Sequence, residues 1–321
     1  MTTAGVQSRS GPGGRRALPE ILRVTDLSVP AWVSEGMGLP AERWPGERTW
    51  SRREGGGWTL ISGAIEGARG MGALELQRRV CEVYAELGAE LSRGRALYPL
   101  RFWNFVPGIH EGMGDGLDRY MVFNAGRFAG FASWHVGGED FGPRLSTASG
   151  VGHEGTALVV HCLAGPTPGT PVENPRQVPA YRYSKRLGPL PPCFARATVL
   201  DRRPGEAARV LVGGTAAVRG EDSVHEGNLL GQIGETLENM GALACEAGGV
   251  SGSIGVGLSR YRELRAYVTR VEDEAEVLGA IEGSFAGVGR VEVMRASICR
   301  RELLVEIEGV AEVSGSVRDA V

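Results

Sequence analysis

Leu211-Val212-Gly213-Gly214-Thr215-Ala216-Ala217-Val218-Arg219-Gly220 echoes an earlier stretch, Leu60-Ile61-Ser62-Gly63-Ala64-Ile65-Glu66-Gly67. Each reads as a strand of apolar and small residues, and each precedes an amphipathic helix and then another strand. After the first, Leu76, Val80, Val83, Tyr84, Leu87 and Leu91 recur at three and four residues, which makes one apolar helical face. Residues 98–106 follow as a strand whose aromatics suit a pleated surface. After the second, Asn228 can cap a helix with the face Leu229, Ile233, Leu237, Met240 and Ala244, ended by Gly248-Gly249. Residues 264–268 then read as a strand. A repeat of this length decides the fold: α+β, two tandem copies of one unit, the N-terminal copy degenerate.

The rest of the chain fits around these units. Residues 119–131 read as a helix, and 156–163 as a nearly continuous apolar run suited to a buried central strand. The proline-rich stretch 166–192 is a long connection, of a kind that often carries function. Val277, Ile281 and Phe285 mark another helix, and two closing strands follow. Three segments are expected: 1–50, irregular and partly disordered; 51–193, the first unit; and 194–321, the second. Residues 1–15 read as disordered and the remainder up to about 45 as an irregular lead-in.

Composition narrows the function. A chain of 321 residues suggests two domains, and 42% hydrophobic with 23% charged residues describes an ordinary globular protein. A net charge of -3 gives no electrostatic case for nucleic acid. The five cysteines, at 81, 162, 193, 245 and 299, are odd in number and form no Cys-x-x-Cys, which argues against zinc and against a disulfide framework, and for a reducing compartment. The histidines at 110, 135, 153, 161 and 225 show no metal spacing. No apolar run of ~18 residues is present and no signal sequence follows Arg15 and Arg16, so a cytoplasmic location without membrane contact is expected.

Near the end, Ser297-Ile298-Cys299-Arg300-Arg301-Glu302-Leu303-Leu304-Val305-Glu306-Ile307-Glu308-Gly309 puts a thiol and two carboxylates into strand-like sequence. On spacing alone, Glu306 reads as a strand residue on a solvent face, with Glu308 on the same face, and Cys299 as a small buried hydrophobe. Strand chemistry does not itself call for Val-Glu-Ile-Glu, so one of these acids is a candidate for an enzyme's acid.

Two resemblances sharpen this. Gly214-Thr215-Ala216, the helix from Gly231-Gln232-Ile233 through Glu238-Asn239-Met240, and Val305-Glu306-Ile307-Glu308 resemble the YjgF-like reactive-intermediate deaminase fold, a chorismate-mutase-like unit of mixed sheet packed with helices. From about Leu97 onward the chain resembles the chorismatase family more closely. The matching stretches are Arg101-Phe102-Trp103-Asn104-Phe105, Arg119-Tyr120 with Phe123, Gly126-Arg127, Glu173-Asn174-Pro175-Arg176-Gln177, Tyr183, Pro191 to Thr198, Gly214-Thr215-Ala216, and Ile298-Cys299-Arg300 with Leu303 to Gly309. The first 95 residues match poorly.

The chorismatase resemblance implies cleavage of chorismate with release of pyruvate and no cofactor or metal. Glu306 matches the family's catalytic acid, which must deliver a proton to the methylene of the enolpyruvyl ether. One branch hydrolyses chorismate to a dihydroxycyclohexadienoate and tends to carry alanine at the positions of Cys299 and Gly214. The other makes 3-hydroxybenzoate and carries cysteine and glycine, as here. The resemblance also implies Arg127, with Arg119 and Arg270 as weaker matches, for the substrate carboxylates, because guanidinium and carboxylate pair bidentately. Tyr183 matches a tyrosine that donates to a substrate oxygen, whereas Leu187 departs from a tyrosine often found there. The alternatives are the hydrolytic reaction and a YjgF-like small-molecule binder or imine deaminase. Because one chain holds two units, a monomer or weak dimer with the site between its halves is expected.

Overall fold

The computed structural model of the chain describes residues 18–44, 49–134, 142–200 and 207–313. The disorder expected for residues 1–15, and His135, lie outside the described residues. The strands in chain order are β1 (Glu20–Val24), β2 (Trp50–Gly55), β3 (Trp58–Ile65), β4 (Tyr98–Pro107), β5 (Gly112–Gly114), β6 (Leu117–Asp118), β7 (Thr147–His153) and β8 (Leu158–Gly165), then β9 (Thr170–Val172), β10 (Ala197–Val199), β11 (Ala208–Ala216), β12 (Val218–Arg219), β13 (Asp222–Ser223), β14 (Tyr261–Val268), β15 (Arg290–Arg295) and β16 (Val305–Val313). The helices are α1 (Ala31–Met37), α2 (Ala73–Ser92), α3 (Arg119–Trp134), α4 (Leu229–Ala247), α5 (Ile254–Leu258) and α6 (Glu274–Ser284).

The repeat is visible in the topology. One sheet has the order β2-β3-β8-β4-β7, and the other contains β10-β11-β16-β14-β15. In both, the first four strands run antiparallel to their neighbours and the last pair is parallel. Both also follow the order strand, strand, helix, strand, helix, strand, strand. The N-terminal copy is degenerate in sequence but complete in topology. β9 and β1 extend the second sheet at its two edges, to seven strands.

Packing follows from strand and helix periodicity. Leu76, Val80, Val83, Tyr84, Leu87 and Leu91 of α2 are all buried, together with α3, on the outer face of the five-stranded sheet. α3 lies close to α2 because Gly126 and Gly130, one turn apart, face it: a Cβ on Gly126 would stand 2.5 Å from the Gln77 carbonyl oxygen, and one on Gly130 would stand 2.4 Å from Cβ of Tyr84. α4 and α6 cover the outer face of the seven-stranded sheet. Asn228 caps α4 as expected, accepting the Gly231 amide at 3.0 Å. The inner faces of the two sheets meet in a third apolar layer that includes Trp103, Phe105, Val159, Leu211, Tyr267 and Val310. The molecule therefore has four layers, helices outside and two sheets within. The apolar run of β8 is the central strand of its sheet, with all eight residues buried.

Three segments depart from the sequence reading. Residues 20–37, expected in an irregular lead-in, contain β1, paired in parallel with β15, and α1. A short edge strand with no period of its own takes its form from the strand it joins. β7, which reads Thr-Ala-Ser-Gly-Val-Gly-His, had no strand signal and is set by parallel pairing to β4. The stretch 166–192 holds β9 and two short 3₁₀ turns, at Ala180–Arg182 and Lys185–Leu187. Among the described residues, no helix is long and apolar enough to cross a membrane, and no group of three or more His, Cys, Asp or Glu is placed to hold a metal ion.

Candidate active site

Between β7 of one sheet and β11 and β16 of the other lies a cavity of about 270 Å³. Glu306, Cys299, Gly214 and Tyr183 all line it, so four of the seven residues singled out from sequence converge. Their elements come from distant parts of the chain. Glu306 lies on β16, opposite Ala216 of β11 and Tyr267 of β14. Cys299 belongs to the link between β15 and β16. Gln232 of α4 holds that link by accepting the Leu304 amide at 2.8 Å and donating to the Glu302 carbonyl at 2.7 Å. Tyr183 and Leu187 come from the long connection, and Tyr120 and Met121 from the start of α3. Asp118 fixes that start by accepting the Met121 amide at 2.9 Å. A larger groove of about 640 Å³, beside Asp26, Glu66 and His153, contains none of the seven residues.

The strand face expected to meet solvent is the inner face of the sheet–sheet layer. Glu306 is only 4% exposed, and Glu308 is buried beside it. The two acids differ in environment. Glu308 accepts from Arg101 Nη2 at 2.7 Å, from Trp103 Nε1 at 2.8 Å and from the Ser149 hydroxyl. Among the described residues, Glu306 has no such donors. Burial, and then the negative charge of Glu308, push its carboxyl up to about 8, against the opposing pull of Arg101 and Arg196. A carboxyl in that state is a neutral acid at physiological pH. Burial, and then Glu306, push the Cys299 thiol up to about 12, so it stands in the cavity as a neutral donor rather than a thiolate nucleophile.

Gly214 has a steric role. A Cβ there would stand 1.8 Å from Oε1 of Glu306 and 2.5 Å from its Cδ. The space of the missing side chain is thus occupied by the carboxyl itself.

The cations are not the expected ones. Arg127 is buried outside the cavity, its guanidinium 5.4 Å, 5.5 Å and 5.1 Å from the ring centroids of Tyr84, Phe102 and Phe131. Arg119 donates to the carbonyls of Ala68 at 3.0 Å and Arg69 at 2.8 Å and to Glu111 at 2.9 Å, which ties α3 to the turn before α2. Arg270 pairs with Asp273 at 2.7 Å on the surface. None of these three lines the cavity.

Arg196, Arg300 and Arg301 do line it, and sequence reasoning did not single them out. Arg196 donates to the Tyr183 hydroxyl, and the guanidinia of Arg196 and Arg300 lie 5.7 Å and 5.5 Å from the Tyr183 ring. Arg300 also donates to the Glu221 carbonyl at 2.8 Å and to Ser223 at 3.0 Å, whereas Arg301 reaches the His110 carbonyl. The signal was available: Arg196 and Arg300 sit inside two of the quoted motifs, next to residues that were chosen.

The cavity thus offers a neutral buried carboxyl, a neutral thiol, a phenol and three guanidinia, with Asp118 and Glu302 also in its wall. It can bind a small dianion and protonate it.

Comparison with known proteins points the same way. Residues 40–164 match the family model described as chorismatase FkbO/Hyg5-like, N-terminal, so the similarity reaches well upstream of Leu97. A 3-hydroxybenzoate synthase of Streptomyces hygroscopicus is 38% identical over 216 residues, which is 65% of this chain and 62% of that protein. A chorismatase of the same organism is 36% identical over 219 residues, 66% of this chain and 61% of that protein. The matched region therefore spans somewhat less than two thirds of these relatives. A crystal structure of a chorismatase at 1.08 Å resolution superposes with a TM-score of 0.72 at 26% identity, covering 95% of both chains.

Proposed function

We propose that the chain is a member of the chorismatase family and converts chorismate to 3-hydroxybenzoate and pyruvate, with Glu306 as the proton donor. One observation carries the reading: a buried carboxyl, kept neutral by its surroundings, lines a cavity that three guanidinia also line, with the acids Asp118 and Glu302 engaged elsewhere by the Met121 amide and the Ser223 hydroxyl. Chorismate has two carboxylates, one on the ring and one on the enolpyruvyl ether. Arg196, Arg300 and Arg301 are the cations available to them. Glu306 gives its proton to the enol ether methylene, which leaves an oxocarbenium ion. The ring's 4-hydroxyl oxygen, keeping its proton, displaces the ether oxygen to form a protonated epoxide, and pyruvate leaves. The epoxide opens, and loss of a ring proton gives the phenol and returns a proton to Glu306. This is proton transfer and internal displacement, and it calls for no cofactor.

Cys299 is the product-determining residue in this scheme. As a neutral thiol it holds the migrating hydroxyl as a hydrogen-bond partner. Gly214 seats the acid. Tyr183, held by Arg196, donates to a substrate oxygen. Both halves of one chain supply the cavity walls, which supports action as a monomer or weak dimer, and the odd, unpaired cysteines support a cytoplasmic enzyme.

The test is incubation of purified protein with chorismate, without metal or cofactor, and product identification by liquid chromatography with mass detection. Pyruvate with 3-hydroxybenzoate is expected. Pyruvate with the dihydroxycyclohexadienoate would keep Glu306 as the acid and overturn the assignment of Cys299. Unconsumed chorismate would overturn the function and favour the deaminase-like or small-molecule-binding reading.

A further inference from the structure

Ser149 lies on β7 of the five-stranded sheet, but its hydroxyl works on the other sheet. It accepts from Arg101 Nη2 at 2.6 Å and from the backbone N–H of Gly214 at 2.9 Å, and it donates to Glu308. The Gly214 contact falls on an irregularity. Along β11 and β16, Val212 pairs with Gly309 and the next pair is Thr215 with Ile307. Gly213 and Gly214 therefore stand opposite the single residue Glu308, which is a β-bulge. A bulge leaves N–H groups that the neighbouring strand cannot satisfy, and buried N–H groups need partners. Here Gly213 donates to the Arg196 carbonyl at 2.9 Å and Gly214 donates to Ser149. The position held in this way is the one whose missing Cβ makes room for the Glu306 carboxyl.

We propose that Ser149 is a positioning residue for the acid: by accepting the Gly214 N–H and donating to Glu308, it holds the bulge on which the Glu306 carboxyl is seated. The inference rests on Glu306 being the proton donor proposed above. Ser149 also couples the two acids, because the same hydroxyl binds the carboxylate that lies beside Glu306 and the backbone that lies beneath it. Ser149→Ala keeps the Cβ and removes the hub. Ser149→Thr keeps the hydroxyl and suits a strand.

The experiment compares wild type, S149A, S149T, G214A and the S149A/G214A double variant with chorismate, each after a check for cooperative unfolding. S149A is expected to lower kcat roughly 10- to 100-fold, the scale of a misplaced reacting group. KM is expected to stay within about 3-fold, since the interaction lost is one that serves the transition state, and S149T is expected to recover most of kcat. In the G214A background, where the seat is already blocked, removing the hydroxyl is expected to cost less than about 3-fold, the non-additivity of residues acting through one another. A loss of stability alone would not produce that coupling. An S149A kcat within about 2-fold of wild type, or full additivity with G214A, would overturn the proposal. The infrared band of the protonated Glu306 carboxyl, assigned by its absence in E306Q, gives a readout without turnover. It should shift or broaden in S149A and return in S149T, and an unchanged band would overturn the role of Ser149. Failure of wild type to consume chorismate would instead count against the function, and the infrared comparison would still decide the inference.

Discussion

Glu306→Gln should lower turnover by orders of magnitude and make the protein more stable in alkaline solution. The substitution keeps the size of the side chain and removes its titration. In the folded chain, burial and the neighbouring Glu308 raise this carboxyl from an ordinary value of 4.5 to about 8. Between those values the folded protein holds a proton that the unfolded chain has released, so the folded state is favoured less and less as pH rises. The contribution is fully present below 4.5 and is lost as pH passes through about 8. At ~1.4 kcal/mol per pKa unit, the accumulated difference is about 5 kcal/mol, a large part of a typical folding free energy. Other raised or lowered groups, such as Glu173 and His161, are common to both proteins and cancel in the comparison. The assay is denaturant unfolding of wild type and E306Q across this range. The two should coincide near 4.5, and E306Q should become the more stable by several kcal/mol at and above 8. Chorismate consumption by E306Q should fall by roughly 10²- to 10⁴-fold, the usual contribution of a general acid, and wild-type kcat should decline as pH rises through about 8. Parallel stability curves over the window would refute the reasoning, because Glu306 would then titrate as an ordinary surface acid.

Further outcomes concern Cys299, Arg196 and Arg127. With its thiol pushed up to about 12, Cys299 should react with iodoacetamide at mildly alkaline pH at least ~100-fold more slowly than free cysteine, as read by peptide mass, and Cys299→Ala should change the product ratio more than the rate of chorismate loss. Arg196→Gln removes a cavity cation and the donor to Tyr183, so kcat/KM should fall roughly 10- to 100-fold, the scale of a charge-assisted hydrogen bond in steady-state assays. Arg127→Met should leave KM within about 3-fold and stability equal or higher, because the guanidinium lies among aromatic rings with Nε and Nη2 unpartnered; a KM raised tenfold or more would put Arg127 back in the site.

The layers of the molecule were written in local patterns. The 3–4 spacing in α2, the unbroken apolar run of β8 and the Asn228 cap each encode their element through nearby residues, so one pass along the chain reads them. The echo of 60–67 in 211–220 carried the repeat, because both units need the same small-residue strand beside a helix. β7 was not legible. Its glycines, serine and threonine have no strand period, and its form comes from a strand more than 40 residues away in sequence. The same limit applied to β1, which takes its form from β15.

For the site, the sequence by itself determined which groups were available: Glu306, Cys299, Gly214 and Tyr183, in motifs whose residue types match an acid-catalysed reaction. Only the tertiary structure decided their states and their neighbours. Val-Glu-Ile-Glu says that two acids share a face, and it does not say whether water or a second sheet covers that face. The facing sheet brings Arg101, Trp103 and Ser149 to Glu308 and, among the described residues, brings no donor to Glu306, so one acid is paired and the other is a neutral acid. Likewise Gly-Arg within a helix does not tell a carboxylate-binding arginine from one packed among rings. α2 settled that for Arg127 by coming close enough, against Gly126 and Gly130, to enclose it. Periodicity carries local geometry, whereas burial and charge depend on groups that only folding brings within a few ångströms.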